Sequence, residues 1–292
     1  MAKVGTGKYT YERLDDFPKL PAGQAFGTVS RVAADSQDRL YVFQRKDPPV
    51  MVFDRDGKYV NSWGSGVFMD PHGIRIVKDV VYTTDRMASV AQVFSLEGKL
   101  LQTLGKRGEH SDTGCSKSPY IVLRAAGPFN QPTDMIPGPS GDLYVTDGYC
   151  NSRVHRFAHG GRLKGSWGEP GNGGGGQFHL PHSVVIDPEG KLYVCDRSNR
   201  RVQIFSPDGE FIGMWTGMGG PNDIARDKDG IFYICEQEAD GNPAYICVRD
   251  GDGKVLAKWE TRHAHGLTVD TNGDVYVGLT VNQNVDKYVR LH

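Results

Sequence analysis

Apolar and polar positions along this chain alternate in short runs, not at helical spacing. Segments such as LYVFQ, LYVTD, LYVCD and VYVGL are dense in β-branched and aromatic side chains and bounded by polar turns, the pattern of buried strands. They belong to a longer phrase that recurs: a short apolar strand, an Asp, a Gly-containing turn, then a strand with a Tyr. Copies begin at Val29 (VSRVAADSQDRLYVFQR), Pro71 (PHGIRIVKDVVYTTDR), Pro132 (PTDMIPGPSGDLYVTDG), Pro181 (PHSVVIDPEGKLYVCDR), Pro221 (PNDIARDKDGIFYICEQ) and Ala264 (AHGLTVDTNGDVYVGLT). Many continue into a third strand and a DG, EG or GG turn, as in VMVFDRDGKYV, AQVFSLEGKLL and VQIFSPDGEFI; such turn pairs are hairpin signals. Six copies, mostly spaced by roughly 40–50 residues, match the period of four-stranded propeller blades. The pattern predicts an all-β six-bladed β-propeller, one domain over residues 1–292. Tyr9–Leu14 (YTYERL) is expected to add an outer strand to the last blade and so remove an open sheet edge.

Composition narrows the function. The chain has 292 residues, 34 Lys+Arg against 35 Asp+Glu, and a net charge of -1. No basic field or basic run points to nucleic acid or to a membrane surface. No apolar stretch approaches the roughly 18–20 residues of a membrane helix, and the N-terminus has no apolar core of a signal peptide. The five cysteines, Cys115, Cys150, Cys195, Cys235 and Cys247, are odd in number and form no CxxC pair. They read as buried free thiols of a cytoplasmic protein. Two insertions interrupt the repeats, 105–127 and 168–177; the second (GEPGNGGGGQ) lacks the GK[ST] ending of a phosphate loop and reads as a flexible loop.

The candidate chemistry lies in two registers. Aligned on the repeat, the early position of the first strand reads Ser30, His72, Thr133, His182, Asn222 and His265. Histidine therefore recurs in alternate copies, about 120° apart in a six-bladed ring. Three neutral imidazoles on one point make a metal site with an open coordination position. They suit zinc, and also iron, cobalt, nickel or copper. His179 and His263 each stand near a proposed ligand, as outer groups or, for His263, as a substrate contact. His110, His155, His159 and His292 read as surface residues. The second register, after the Tyr strand, reads Arg45, Arg86, Gly148, Arg197, Gln237 and Thr280, with Tyr149 following Gly148. Guanidinium forks there suit a carboxylate ligand. Asp85 and Asp196, just before two of the arginines, could equally be structural blade residues.

DGYCNSRVHRF from Asp147, FHLPHSVVIDPEGKLYVCDRSNRRVQIF from Phe178 and FNQPTDM from Phe129 resemble the signature of peptidyl-α-hydroxyglycine α-amidating lyases, whose blades are of the NHL type. VFQRKD around Arg45 and DPHGI around His72 also fit. The resemblance implies a six-bladed propeller with a central zinc that cleaves peptidyl-α-hydroxyglycine to an amide and glyoxylate. It implies His72, His182 and His265 as metal ligands, Tyr149 as the catalytic tyrosine, and Arg45 and Arg197 as active-site arginines; the arginine register, not the resemblance, adds Arg86 as a substrate contact. A calcium that the resemblance also implies is in doubt, because the carboxylate after the third histidine is here Gly266. His263 replaces a methionine, and the disulfide positions of the secreted members fall on Asn130, Tyr193 and Ile204, leaving Cys150 without that partner.

The function expected is a metal-dependent carbon–nitrogen lyase on an N-acyl-α-hydroxyglycine or a small analogue such as ureidoglycolate. Tyr149 would take the hydroxyl proton, Arg45 would favour its phenolate and Arg197 would hold the carboxylate. The alternatives are a metal-dependent hydrolase or lyase acting on another small anion, and a non-enzymatic NHL scaffold. The partner is a small carboxylate, and the default state is a monomer.

Overall fold

A computed structural model describes residues 3–117, 120–239 and 241–291. Among them the only helical element is the turn Arg197–Asn199; the rest is strand and turn. Each repeat folds into an antiparallel sheet, a blade, whose strands follow chain order. By contact density the chain divides into two compact units, 1–67 with 222–292, and 68–221.

The first unit holds blade 1 (Val29–Ala34, Leu40–Gln44, Val50–Phe53, Tyr59–Trp63), nearly all of blade 5 (from Gly220–Arg226 to Val255–Glu260) and blade 6. Blade 6 has five strands: Ala264–Val269, Val275–Leu279 and Asn284–Arg290, then Tyr9–Leu14 and Lys3–Thr6 from the start of the chain. Tyr11 pairs with Arg290 and Leu14 with Lys287. Residues from both chain ends share one core, in which Tyr9 and Tyr11 pack with Trp259, Leu279 and Tyr288.

The second unit holds blade 2 (Pro71–Val77 to Leu100–Leu104), blade 3 (Pro132–Pro137 to Leu163–Trp167) and blade 4 (Pro181–Ile186 to Phe211–Trp215). Second strands are buried along their length, as in LYVTD and LYVCD, whereas fourth strands such as LKGSW are exposed or half-buried throughout. A strand covered on both faces must read as a nearly continuous apolar run, which is why the middle strands dominate the sequence pattern.

The repeated Asp and Tyr have a shared physical cause. The Asp270 carboxylate accepts the N–H groups of Asn272 and Asp274, each at 2.9 Å, and the Tyr276 hydroxyl at 3.1 Å. Asp35 and Asp227 do the same with Tyr41 and Tyr233. One carboxylate thus fixes the turn and satisfies a buried phenol six residues later. Blade 2 lacks this Asp and closes instead through Lys78 and Asp79 at φ 52° and 57°, the two-residue turn that accounts for its shorter copy. Asp270→Ala is expected to cost about 1–3 kcal/mol, because it strands buried donors; urea denaturation measures it.

The expectation of five free thiols is corrected. Cys115 and Cys150 form a disulfide, and only Cys195, Cys235 and Cys247 stay reduced outside it, all buried. The bond ties the 105–127 insertion to the loop after the second strand of blade 3. It also removes the thiol argument for a reducing compartment.

Candidate functional site

In the second unit, one Asp at the end of each second strand organises the loops around the candidate residues. Asp85 accepts the N–H groups of Met69 (2.7 Å), Asp70 (3.0 Å) and Ala88 (3.1 Å), fixing the approach to His72. Asp147 accepts the Asn130 N–H at 2.8 Å and the Asn151 amide at 2.9 Å. Asp196 accepts the His179 N–H and the Asn199 and Arg201 side chains, each at 2.8 Å, just ahead of His182. The residue after each Asp, Arg86, Gly148 or Arg197, is therefore held in place beside the site. In blade 3 that residue is Gly148, where a Cβ would meet the Pro181 carbonyl oxygen at 2.0 Å. Only glycine lets this strand end abut the residue before His182, which brings Tyr149 beside it.

The second unit joins five of the candidate residues. His72 and His182 are fully buried, with ring centroids 4.8 Å apart. His72 Nδ1–H donates to the Thr133 carbonyl at 2.7 Å, which leaves Nε2 as the lone-pair nitrogen. The Tyr149 hydroxyl lies 3.2 Å from His72 Nε2 and 3.4 Å from His182 Nε2. Two guanidinium groups face the Tyr149 ring, Arg86 at 4.6 Å and Arg197 at 5.5 Å from its centroid. Arg86 Nε also donates to Asp70 at 2.5 Å. Burial alone would lower the Arg86 pKa, but Asp70 and then Tyr149 more than offset this, and it is raised. Arg197 Nε is buried and has no hydrogen-bond partner among the described residues. A cation left so invites an anionic ligand.

The first unit carries His265, Arg45 and His263. His265 is buried, and its Nδ1–H donates to the Ser30 carbonyl at 2.6 Å. Ser30 and Thr133 hold the same repeat position, so His265 and His72 are fixed alike, each by the next blade. Such a bond sets the tautomer and aim of a ligating imidazole. Buried His72, His182 and His265 form a set that could hold a metal ion. Arg45 follows Leu40–Gln44, half-buried, its N–H on the Thr28 carbonyl. His263 Nδ1 pairs with Glu238 at 2.6 Å, an engagement that competes with the substrate contact expected of it.

The residues after His265 do not fit a second cation. A Cβ on Gly266 would lie 2.7 Å from Arg31 Cγ and 2.8 Å from Arg31 Cα. Arg31 is fully buried and its Nε is 3.3 Å from Asp223. The backbone and stem of Arg31 fill the space at Gly266 and leave no room for a carboxylate side chain there. Gly266→Asp is expected to destabilise the fold by about 1–3 kcal/mol through overpacking, measured as a fall in Tm.

Other histidines divide. His110, His159 and His179 are exposed, though His179 also borders the cavity beside Tyr149. His292 lies outside the described residues. His155, expected at the surface, is instead fully buried, between Ser166 Oγ at 2.7 Å and Asp147 at 3.3 Å. This Ser–His–Asp chain is structural: Gln203 takes the same place in blade 4 and bonds Asp196. Sequence reasoning also missed Tyr120, from the insertion, whose ring meets Tyr149 edge-on at 5.2 Å.

Comparison with known proteins agrees with this architecture. The NHL repeat family model matches residues 178–205. Human NHL repeat-containing protein 3 is 31% identical over 98% of this chain and 86% of its own length. A Caenorhabditis elegans protein named a probable peptidyl-alpha-hydroxyglycine alpha-amidating lyase is 27% identical over 78% of this chain and 66% of its own. A solved streptogramin B lyase superposes with a TM-score of 0.65, covering 95% of this chain and 96% of that one, at 13% identity. The fold is an all-β six-bladed β-propeller.

Proposed function

Since the chain belongs to the NHL-repeat family, we propose that it is a metal-dependent carbon–nitrogen lyase. Its substrate would be an N-acyl-α-hydroxyglycine or a small analogue such as ureidoglycolate, cleaved to an amide and glyoxylate. One observation carries this reading: the Tyr149 hydroxyl lies within hydrogen-bond range of two histidine Nε2 atoms while two guanidinium groups face its ring. The likeness to an amidating lyase supports the reaction class.

His72, His182 and His265 would hold the metal, and a divalent ion there, zinc by preference, would supply Lewis acidity towards the substrate hydroxyl. Tyr149, as its phenolate, accepts the proton of that hydroxyl. As the carbonyl of glyoxylate forms, the carbon–nitrogen bond breaks and its electron pair goes to the amide nitrogen. Tyr149 returns the proton to that nitrogen, so no water is consumed and Tyr149 is regenerated. Arg197 engages the substrate carboxylate. Arg86, steadied by Asp70, covers the ring face and favours the phenolate that takes the proton and re-forms when it is returned.

The departures at Gly266 and His263 favour one second reading, the same apparatus acting on a different small anion. The two separate on α-hydroxyhippurate supplied with Zn(II). The lyase reading expects benzamide and glyoxylate in equal amounts, and neither product would leave only the second reading. Arg197→Ala is expected to raise KM about 10- to 100-fold, the cost of a lost charge-assisted contact, with a smaller change in kcat; steady-state kinetics separate the two.

A further inference from the structure

The 105–127 insertion has no counterpart in the repeat, and apart from the Tyr120 ring against Tyr149 the reaction proposed above does not use it. It is nonetheless strapped to the Tyr149 loop from several sides. Thr113 Oγ1 donates to the Cys150 carbonyl at 2.6 Å, and the Asn130 amide donates to the Ser111 carbonyl at 2.8 Å. The Asn151 side chain holds both the N–H and the carbonyl of Ala126, at 3.3 and 3.2 Å. The Cys115–Cys150 disulfide adds a covalent tie immediately beside Tyr149. Between these straps the described residues of the insertion form a two-residue ladder, Ser116–Lys117 with Tyr120–Ile121, and the Leu123 and Arg124 N–H groups close back on the Thr113 carbonyl. So short a ladder is marginal by itself, and the straps set where the insertion sits against Tyr149.

What the straps position is one wall of a cavity of about 330 Å³ that opens onto Tyr149. Tyr120, Ile121 and Val122 form that wall, and Pro170, Phe178 and Leu180 stand among the other lining residues. Ile121 is half-exposed and Leu123 more so, an apolar lip that the blade core does not need. A mainly apolar cavity of this size with a reactive group at one end is the usual form of a small-ligand site.

We propose that this cavity binds the apolar N-acyl group of the substrate, and that the Cys115–Cys150 disulfide holds its wall against Tyr149. The chemistry of the ligand's other end, a carboxylate next to an amide, rests on the lyase reading. Arg197 anchors that carboxylate over the Tyr149 ring, and the acyl group extends into the cavity. Ile121 and Val122 determine specificity. Cys115 is a positioning residue: its loss leaves the Thr113 and Asn151 straps but frees the segment that carries Tyr120 and Ile121.

The test is calorimetric binding of two unreactive ligands, hippurate and N-acetylglycine, to the Zn(II)-supplemented protein. They share the amide and carboxylate and differ in the acyl group. The wild type is expected to prefer hippurate by tenfold or more. That ratio should fall at least fivefold in Ile121→Asp and at least threefold in Cys115→Ser, with melting curves confirming that both variants fold. Equal affinities in the wild type, or an unchanged ratio in both variants, would overturn the proposal. A ratio that behaves as expected, with no glyoxylate from α-hydroxyhippurate, would support the cavity and overturn the lyase reading alone.

Discussion

Replacing Tyr149 with Phe is expected to lower kcat for glyoxylate release about 10²- to 10⁴-fold, the range for removing a positioned proton-transfer group. The change removes one oxygen. It keeps the ring on which Arg86 and Arg197 rest and the packing against Tyr120. His72 and His182 lose a hydrogen bond but retain their own positions; His72 is held by the Thr133 carbonyl, which does not involve Tyr149. Metal retention and Tm should therefore change little while turnover collapses. A variant with more than a third of wild-type kcat would remove Tyr149 from proton transfer and leave it a wall residue.

His182→Ala should abolish both metal retention and turnover. Two of the three proposed imidazoles would remain, and loss of a direct ligand should exceed the tenfold to hundredfold cost typical of an outer-shell partner. Because His182 is fully buried, truncation also leaves a cavity, so Tm has to be read alongside. A folded His182→Ala protein that keeps one tightly held metal per chain would exclude His182 as a ligand.

The blades were legible because the phrase that repeats is also the unit that folds: the Asp, the turn and the Tyr six residues on share one hydrogen-bonded knot. The histidine register was legible for the same reason, since His72 and His265 reach carbonyls at the equivalent position of the next blade. Where the repeat lapses, the sequence is less informative. Nothing in 105–127 announces that Tyr120 meets Tyr149, because the insertion has no register to align. The disulfide was hidden by an odd total, yet a positional signal existed: Cys195, Cys235 and Cys247 sit inside strands, while Cys115 and Cys150 sit in loops. His155 was misjudged because an imidazole and the Gln203 amide fill the same buried slot in successive blades, an equivalence the hydrophobic pattern does not show. Arg31 was overlooked although it directly follows Ser30 in the histidine register. An arginine where other blades carry Gly, Asp or Ser signals a buried ion pair.

The most direct test of the account is removal and return of the metal in the wild-type protein. Protein stripped with a chelator and dialysed should release no glyoxylate from α-hydroxyhippurate, and activity should return in proportion to added Zn(II), levelling at one equivalent per chain. Full glyoxylate release by protein shown by elemental analysis to carry no metal would contradict it.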